Sequence, residues 1–519
     1  MREDRDGNGT VTRHTDVSGA ANRDGSPAGA PAGGGATTLA QSLRSRHITM
    51  ISIGGAVGAG LFVGSGVSIQ QAGPGILIAY AVTAAVVILI MRMLAEMSMP
   101  RPDTGAFAVY GRLAFGRWAG FASGWLYWVG WPLGLCVEAI ALAQIVHGWL
   151  PALPVWLTAL AVVALVSAVN LTSVRAYGEM EFWVVWIKVA VIALFIAVGI
   201  VAVAGLLPGT PAPGAGNLVN HGGFLPMGLS GVVIATSGAM FSFSGTEIVT
   251  IAAGEAQDAS AAIRKSTRTI LVRVTVFYLG SLAVIVLLLP WNSTAVGESP
   301  FAATLSHLGL SGASTLLNVV LFAALLSTMN SQLYASSRML FALARDQDAP
   351  ALLARVSRRG VPYTAILLTV AVAVLCLLLQ VFHPTTAFTR LVNITGDTVY
   401  ITWIGIAASH LVLGRRDRAR GRRPAAGTGV WLFPWLTWAT LFTLVALYAV
   451  MISLPDARED AVLALGFTVA IALVGLWLQR KRPAHAQPGG PLPGAVDGPD
   501  PQPAAGRRSA AADGGTAAG

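Results

Sequence analysis

The stretch GGAVGAGLFVGSG, residues 54–66, decides between two different folds. It holds six glycines in thirteen positions, yet it lies inside an apolar run that extends from about Met50 to Gln70. Glycine weakens an uninterrupted helix because it has the most conformational freedom to lose. The stretch is therefore either a phosphate-binding loop of a soluble domain or a membrane helix that is interrupted.

The composition of the whole chain favours a membrane protein. Of its 519 residues, 54% are hydrophobic and 11% are charged, and the mean hydropathy is +0.66, whereas soluble domains carry about 25% charged residues. A helix of about 20 apolar residues crosses the hydrocarbon of a bilayer. Twelve such runs occur, at 48–72, 75–98, 119–149, 154–174, 182–205, 227–254, 271–290, 313–343, 362–382, 388–412, 429–453 and 460–479. The sequence predicts an all-α integral membrane protein with twelve transmembrane helices.

The spacing of the glycines argues against a nucleotide-binding loop. Gly58, Gly60 and Gly64 follow a G-x-G-x-x-x-G pattern, whereas a dinucleotide-binding loop has G-x-G-x-x-G between a strand and a helix. A Walker A loop ends in G-K-[ST], and no lysine lies near this stretch. An ATP-driven pump is accordingly disfavoured.

Two interpretations of a glycine-rich membrane helix stay open. Small residues let helices pack closely in a bilayer. Alternatively the helix is broken, which lipid tolerates only where the unpaired backbone lines a cavity, and its free N–H and C=O groups then bind both ends of a zwitterion. The stretch MFSFSGTEIVT, residues 240–250, interrupts the sixth span similarly. Two broken spans five apart predict inverted repeats at 48–205 and 227–412, with helices eleven and twelve, 429–479, outside them.

The basic residues indicate the orientation of the chain. Its formal charge of +10 would suggest a nucleic-acid partner in a soluble protein, but arginines and lysines concentrate in alternate loops, and the loops at 206–226 and 291–312 contain none. No nucleic-acid partner is expected, and the positive-inside rule predicts that both termini are cytoplasmic. The polar segments 1–41 and 483–519 are predicted to be disordered tails beside a transporter domain at 42–482.

Several motifs resemble one known family. They are LRSRHITMISIGGAVGAGLFVGSG at 43–66, MRMLAEM at 91–97, YGEMEFW at 177–183, MFSFSGTEIVTIAAGEA at 240–256 and NSQLYASSRMLFALARDQDAP at 330–350. Together they resemble the bacterial amino acid transporter family of the amino acid-polyamine-organocation superfamily. Within it, MRMLAEM and FSFSGTEIVTIAA look most like the GABA permease branch, whereas GGFLP and GIAASH resemble aromatic amino acid and lysine permeases.

The resemblance implies a LeuT-like fold, a 5+5 inverted repeat with broken helices one and six, and proton-coupled uptake of amino acids across the cytoplasmic membrane. The substrate carboxylate would bind backbone N–H groups and the substrate amine would bind backbone carbonyls. The residues implied are Ala59, Gly60 and Leu61 for the carboxylate and Ala56, Phe241 and Ser244 for the amine. Phe243 would either act as a gate over the substrate or serve ordinary packing.

Lys188 is a charged residue inside the fifth predicted span. It lies about 9 Å from Phe182 at the predicted cytoplasmic end, so a side chain that snorkels to the interface is one interpretation. A charge in the bilayer costs at least about 2.5 kcal/mol, so such residues usually face a pathway. In the family that the chain resembles, the matching lysine touches the broken first helix. Protonated Lys188 would then bridge spans one and five and favour the substrate-binding state.

Three acids also fall inside predicted spans. Glu138 lies near the middle of the third span, Glu247 follows the break in the sixth, and Asp397 lies in the tenth. Glu138 is a candidate for proton coupling or substrate contact, and Glu247 for proton coupling or for capping the second half-helix. Asp397 has no assigned role.

Other polar residues receive structural interpretations. Arg92 and Glu96 have the spacing of a pair on one helix face. Glu181 is interpreted as a charge at the amino-terminal end of span five, and Trp131 as a packing or interface residue.

The first function hypothesis is therefore a proton-coupled amino acid importer, with GABA preferred and proline, aromatic or basic amino acids next. A second is an amino acid sensor built on the same fold, although neither tail contains a recognisable domain. An enzyme, a cofactor and a metal are not expected, because the sequence contains no evident nucleophile–base pair or metal-ligand cluster. The expected partners are the substrate, protons and the lipid bilayer, and the oligomeric state is left open.

Overall fold

The computed structural model describes residues 57–171, 174–208, 212–253, 260–261, 263–265, 267, 273–422, 424 and 429–481. Ala56 and both predicted tails lie outside these residues. All regular secondary structure in the described part is helical, as the composition predicts.

A helix lies over the described part of each predicted apolar run. These helices are α1 Ser65–Ala72, α2 Ile76–Ser98, α3 Arg117–Trp149, α4 Val155–Asn170, α5 Val174–Val203, α6 Gly228–Phe243, α7 Gly280–Leu288, α8 Ser311–Arg345, α9 Tyr363–Phe382, α10 Ala387–Ala419, α11 Trp435–Ser453 and α12 Pro455–Lys481. Shorter elements lie between them: π-helical turns at Gly60–Gly64 and Arg273–Leu279, 3₁₀ turns at Gly73–Gly75 and Ala351–Ala354, and helices at Ala106–Phe115, Gly216–Val219, Ile248–Ala252, Thr294–Glu298 and Pro300–His307.

Nine helical segments among the described residues are long and apolar enough to cross a membrane. This number is smaller than the twelve predicted runs for a geometric reason. The first two runs join through the turn at Gly73–Gly75 into one segment, Gly60–Ser98, and both α4 and the described part of run seven, Val276–Leu288, are shorter than a full span. The chain is an all-helical, multi-span membrane protein.

The helices separate into buried and peripheral ones. The segment Gly228–Ala252, which contains α6, has 83% of its most apolar window buried, whereas α12 has 17%. Large apolar side chains of α12, including Leu463, Phe467 and Trp477, are exposed, as expected of a surface that faces lipid. The buried helix α3 packs against α8, α10 and α12, so Glu138 of α3 lies in the interior of the helix bundle.

The predicted Arg92–Glu96 pair is wrong. Glu96 lies 2.9 Å from Arg418 Nη2 and 3.2 Å from His410 Nε2, and both partners belong to α10. Arg92 stacks on the ring of Trp431, with its Cζ 3.6 Å from the centroid. An i,i+4 pair on a helix contributes only about 0.5 kcal/mol, so contacts from another helix replace it easily.

Candidate functional site

The glycine-rich stretch contains the start of a helix. Val57 and Gly58 are not helical, and the helical conformation begins at Ala59. The Gly58 carbonyl accepts the N–H groups of Leu61 and Phe62, at 3.2 and 3.3 Å, and so closes the first turn. The N–H groups of Ala59 and Gly60 precede the first of these bonds and have no partner within the helix. This stretch therefore presents N–H donors inside the protein.

Gly60 brings this helix into contact with α6. A Cβ atom at Gly60 would lie 2.5 Å from the Cα of Ser242. Only glycine allows so close an approach of two backbones. The start of the first helix and the carboxyl-terminal end of α6 consequently touch.

A side chain already occupies the start of the first helix. Both carboxylate oxygens of Glu138, from α3, accept the Ala59 N–H at 3.0 Å, and Glu138 is only 1% exposed. A Cβ on Gly58 would collide with Glu138 Oε1, so glycine makes room for the acid. An anion at a helix amino terminus interacts favourably with the helix dipole. Glu138 thus binds one of the N–H groups that the sequence analysis assigns to a substrate carboxylate.

The break in the sixth span is an extended turn. α6 ends at Phe243, Ser244 is extended with φ −60° and ψ 149°, and Gly245 has a φ of 92°. That positive φ favours glycine, which turns the chain before a short helix starts at Ile248. The Phe241 carbonyl accepts both the N–H of Ser244, at 3.1 Å, and its Oγ hydroxyl, at 2.7 Å. The break therefore keeps part of its backbone satisfied without a ligand.

A cavity lies beside this second break, between α3, α6, α8 and α10. It is small, with about 20 Å³ in which the centre of a water-sized molecule can lie. Its lining includes Tyr127, Trp131, Phe241, Ser244, Glu247 and Gln332. Within the described ranges, no group of three or more His, Cys, Asp or Glu side chains could hold a metal ion.

The predicted site residues divide between this cavity and the packed interior behind it. Phe241, Ser244 and Glu247 line the cavity. Five others are buried but do not contribute to its lining: Ala59, Gly60, Leu61, Glu138 and Phe243. Phe243 stacks on Tyr278, with ring centroids 4.4 Å apart. Of the two phenylalanines, Phe243 packs against Tyr278 and Phe241 lines the cavity.

Three polar atoms of the cavity lining form no hydrogen bond of normal geometry with the described residues, although two of them, on Tyr127 and Trp131, lie close to each other. They are the Tyr127 hydroxyl, the Trp131 indole N–H and the Gln332 side-chain oxygen. Buried polar groups are normally hydrogen-bonded, because leaving one unpaired costs about 1–3 kcal/mol. The sequence predicts a packing or interface role for Trp131, because it does not show whether the indole N–H faces a cavity. The unpaired atoms mark the cavity as a place for a polar ligand.

Lys188 is fully buried and does not reach the surface. Its Nζ donates to Thr328 Oγ1 of α8 at 3.0 Å. The Thr328 hydroxyl lies 3.1 Å from both the Val57 carbonyl and the Ala324 carbonyl of its own helix, and either can accept its hydrogen. Glu181 and Glu138 are the acids whose charges act on it. A lysine of the fifth predicted span is thereby linked through one threonine to the non-helical part of the first.

Glu181 is not at the end of its helix, so its sequence-based interpretation is wrong. α5 begins at Val174, which places Glu181 about two turns inside it. The Glu181 carboxylate is fully buried and accepts the hydroxyl of Ser327 at 2.6 and 2.7 Å and that of Ser331 at 3.4 Å. The signal that would have found this contact is the hydroxyl-rich stretch of α8, which contains both serines and Thr328 in an apolar helix.

Comparisons with known proteins bear on this arrangement. The amino acid permease family matches residues 47–483. The chain is 41% identical over 446 residues to the gamma-aminobutyric acid permease of Bacillus subtilis, covering 86% of this chain and 94% of that one. It is 39% identical over 458 residues to the gamma-aminobutyric acid permease of Escherichia coli, covering 86% and 97%. It is also 39% identical over 443 residues to the aromatic amino acid transport protein AroP of Corynebacterium glutamicum, covering 84% and 95%.

The fold is similar to that of a solved transporter. The crystal structure of the Eremococcus coleocola manganese transporter, in complex with an aromatic bis-isothiourea substituted compound, aligns with a TM-score of 0.51. The alignment covers 84% of this chain and 92% of that one at 16% sequence identity. At this identity the likeness concerns the fold alone.

Proposed function

This chain belongs to the amino acid permease family, and from that premise we propose that it imports GABA or a related small amino acid together with protons by alternating access. The family membership itself establishes an amino acid permease, which is a transporter and not an enzyme. The proposal adds the substrate, the coupling ion and the direction of transport.

The proposed architecture has twelve helices across the bacterial cytoplasmic membrane and both termini in the cytoplasm. Residues 48–205 and 227–412 form inverted repeats of a LeuT-like fold, 429–479 lies outside them, and tails at 1–41 and 483–519 flank the transporter domain, 42–482. The contact of Gly60 with Ser242 supports this arrangement, because it joins the first helices of the two repeats at their breaks. The alternation of basic loops supports the orientation.

The observation that carries the proposal is the cavity with unpaired polar atoms beside a broken helix. We assign the substrate ammonium to Glu247 and to backbone carbonyls of Ala56, Phe241 and Ser244. We assign the substrate carboxylate to the backbone N–H groups of Ala59, Gly60 and Leu61. A carboxylate offers about four acceptor sites, so the hydroxyl of Tyr127 and the N–H of Trp131 supply further donors on the way to that terminus. Phe241, rather than Phe243, covers the substrate.

Proton coupling follows from the position of Glu138. Ionised Glu138 holds the Ala59 N–H that the substrate carboxylate needs, and two carboxylates at one helix terminus repel each other. Protonation of Glu138 removes this repulsion and weakens its bond to Ala59, because hydrogen bonds to an ion are roughly twice as strong as neutral ones. A proton and the substrate therefore bind together.

Lys188 and Glu247 complete the proposed coupling. Protonated Lys188, acting through Thr328, holds the non-helical segment at Val57 in the substrate-binding arrangement. Its deprotonation would loosen that segment and favour release. Glu247 changes its proton affinity when the substrate ammonium binds beside it.

The test is uptake of labelled GABA into proteoliposomes that contain the purified protein and carry an imposed pH gradient, acidic outside. We expect accumulation that collapses when a protonophore is added. Competition by unlabelled GABA, proline, phenylalanine and lysine, added in turn, ranks the substrates. Phenylalanine is the main alternative to GABA because of the similarity to AroP. Saturable binding without accumulation would contradict import and favour an amino acid sensor.

A further inference from the structure

The tenth helix, α10, carries a buried polar cluster that the cavity does not include. Thr395 and Thr398 of α10 line the cavity, whereas Asp397 contacts α6, where the Ser237 hydroxyl donates to Asp397 Oδ1 at 2.7 Å. A Cβ on Gly396 would collide with the Ser237 carbonyl oxygen. The backbones of α10 and α6 therefore touch at the residue next to Asp397.

Asp397 has too few partners for a buried anion. It is 1% exposed, and its second oxygen, Oδ2, has no hydrogen-bond partner among the described residues. No ion pair to Asp397 is found in that part of the chain. A buried carboxylate with neither a counter-ion nor full hydrogen bonding is unstable by several kcal/mol.

Asn393 has the complementary defect. It lies four residues before Asp397 in α10, and side chains with this spacing share a helix face. Its Nδ2 donates to Asp460 Oδ2 of α12 at 3.2 Å, and its Oδ1 has no partner among the described residues. Rotating the amide does not help, because its oxygen would then face the Asp460 carboxylate. Asn393 Oδ1 and Asp397 Oδ2 are thus two acceptor oxygens, one helical turn apart on α10, that both lack a hydrogen-bond donor among the described residues.

The surrounding charged and titratable groups do not supply a cation. On α11, the Tyr448 hydroxyl donates to the Ala461 carbonyl at 2.8 Å, and on α10 Tyr400 donates to Thr236 of α6. On α12, Asp460 has the same sign as Asp397. Arg390, whose charge acts on Asp460, is paired with Glu459 at 3.0 Å.

We propose that Asp397 binds a proton at a site separate from Glu138 and donates it from Oδ2 to Asn393 Oδ1. The chain of hydrogen bonds then runs from Ser237 on α6 through Asp397 and Asn393 on α10 to Asp460 on α12. Loss of the proton places a second negative charge beside Asp460 at the backbone contact of α10 with α6. Because α10 also lines the cavity, this proton fixes the position of one cavity wall.

The matched variants are Asp397→Asn and Asp397→Ala. The asparagine amide supplies the N–H that the proposed proton supplies, and its carbonyl still accepts from Ser237. We expect Asp397→Asn to unfold thermally like the wild type at neutral pH and to resist alkaline pH better, because it has no proton to lose. We expect Asp397→Ala to be less stable at every pH, since Ser237 and Asn393 then both lack a partner.

Infrared spectroscopy of the wild type in detergent gives a direct reading. We expect the carbonyl stretch of a protonated carboxyl group, and its loss in Asp397→Asn. The proposal is overturned if this band is the same in both proteins, if Asp397→Asn is as unstable as Asp397→Ala, or if sodium chloride, compared with choline chloride, stabilises the wild type but not Asp397→Asn. These measurements need only folded protein, so they test the proposal even if GABA is not the substrate. If Asp397→Ala does not fold, the infrared band of the wild type and Asp397→Asn still gives the answer.

Discussion

The two helix breaks differ in what occupies them. At the first, the Ala59 N–H is bound by the protein's own carboxylate, that of Glu138, and the surroundings are tightly packed. At the second, Ser244 and Glu247 face a cavity with unpaired polar atoms. The site that we propose for the substrate ammonium is thus open, and the site that we propose for its carboxylate is filled.

This difference suggests an order of events. A zwitterion can place its ammonium group at the second break at once, but its carboxylate has to replace Glu138 at the first. The replacement requires a proton on Glu138, because two carboxylates repel at one helix terminus. Coupling then needs no long-range signal, since ionised Glu138 and the substrate carboxylate compete for the same Ala59 N–H and a proton on Glu138 ends that competition.

The largest expected effect comes from separating the two breaks. We predict that Gly60→Ala abolishes uptake, because its Cβ would lie 2.5 Å from the Cα of Ser242 and overpacking of this kind costs about 1–3 kcal/mol or more. Gly64→Ala is the control in the same stretch, since its Cβ would make ordinary contacts alone, at 3.4 Å to the Ala59 carbonyl oxygen and 3.8 Å to the Phe241 ring. Initial rates of GABA uptake, normalised to folded protein, measure both. Wild-type transport by Gly60→Ala would show that the contact is dispensable.

A smaller effect is expected from removing the hydrogen bonds that connect Lys188 through Thr328 to the Val57 carbonyl. Thr328→Val removes the hydroxyl between Lys188 and the Val57 carbonyl while keeping the shape of the side chain. Hydrogen bonds to charged groups contribute about 1.5–3 kcal/mol, so we predict at least a tenfold loss of proton-driven accumulation, with GABA–GABA exchange less affected.

The control for this variant is Thr440→Val. Thr440 is also buried, but its hydroxyl donates to the Leu436 carbonyl of its own helix at 2.8 Å. Equal losses in the two variants would mean that Thr328 has a packing role alone.

The smallest effect is expected at the second break. Trp131→Phe removes one unpaired donor from the cavity but keeps an aromatic ring, and we predict an increase of about fivefold in KM for GABA with little change in stability. The control is Trp128→Phe, three residues earlier in α3, because the Trp128 N–H already donates to Thr369 Oγ1 at 3.1 Å. If Trp128→Phe raises KM as much as Trp131→Phe, the cavity donors do not select the ligand.

The sequence predicts features that depend on local pattern and fails on those that depend on neighbouring helices. The apolar runs and the glycines of both stretches indicate where helices lie and where two of them are interrupted. The sequence does not predict the partners of Glu96 and Glu181, because they lie on other helices. Those of Glu96 are on α10, and those of Glu181 are on α8. Phe241 and Phe243 are two residues apart, and only the position of α3 and α10 shows that Phe241 faces the cavity while Phe243 meets Tyr278.

The same limit applies to the unpaired atoms. Nothing in the sequence distinguishes the indole of Trp131 from that of Trp128, since both belong to one tryptophan-rich stretch. Their difference is that Thr369 lies beside one N–H and a cavity beside the other. The sequence places Glu138 near the middle of its span. Its hydrogen bond with Ala59 depends on how α3 lies against the first helix, which the sequence does not show.

The most direct test of the central claim counts protons when GABA binds. Purified protein in weakly buffered, mildly alkaline detergent solution is mixed with GABA, and a pH indicator reports the protons taken up. The account predicts an uptake that approaches about one proton per bound GABA for the wild type, and none for Glu138→Gln, which still binds GABA because its neutral amide competes less for the Ala59 N–H. Binding by the wild type without proton uptake, or equal uptake by Glu138→Gln, would contradict it.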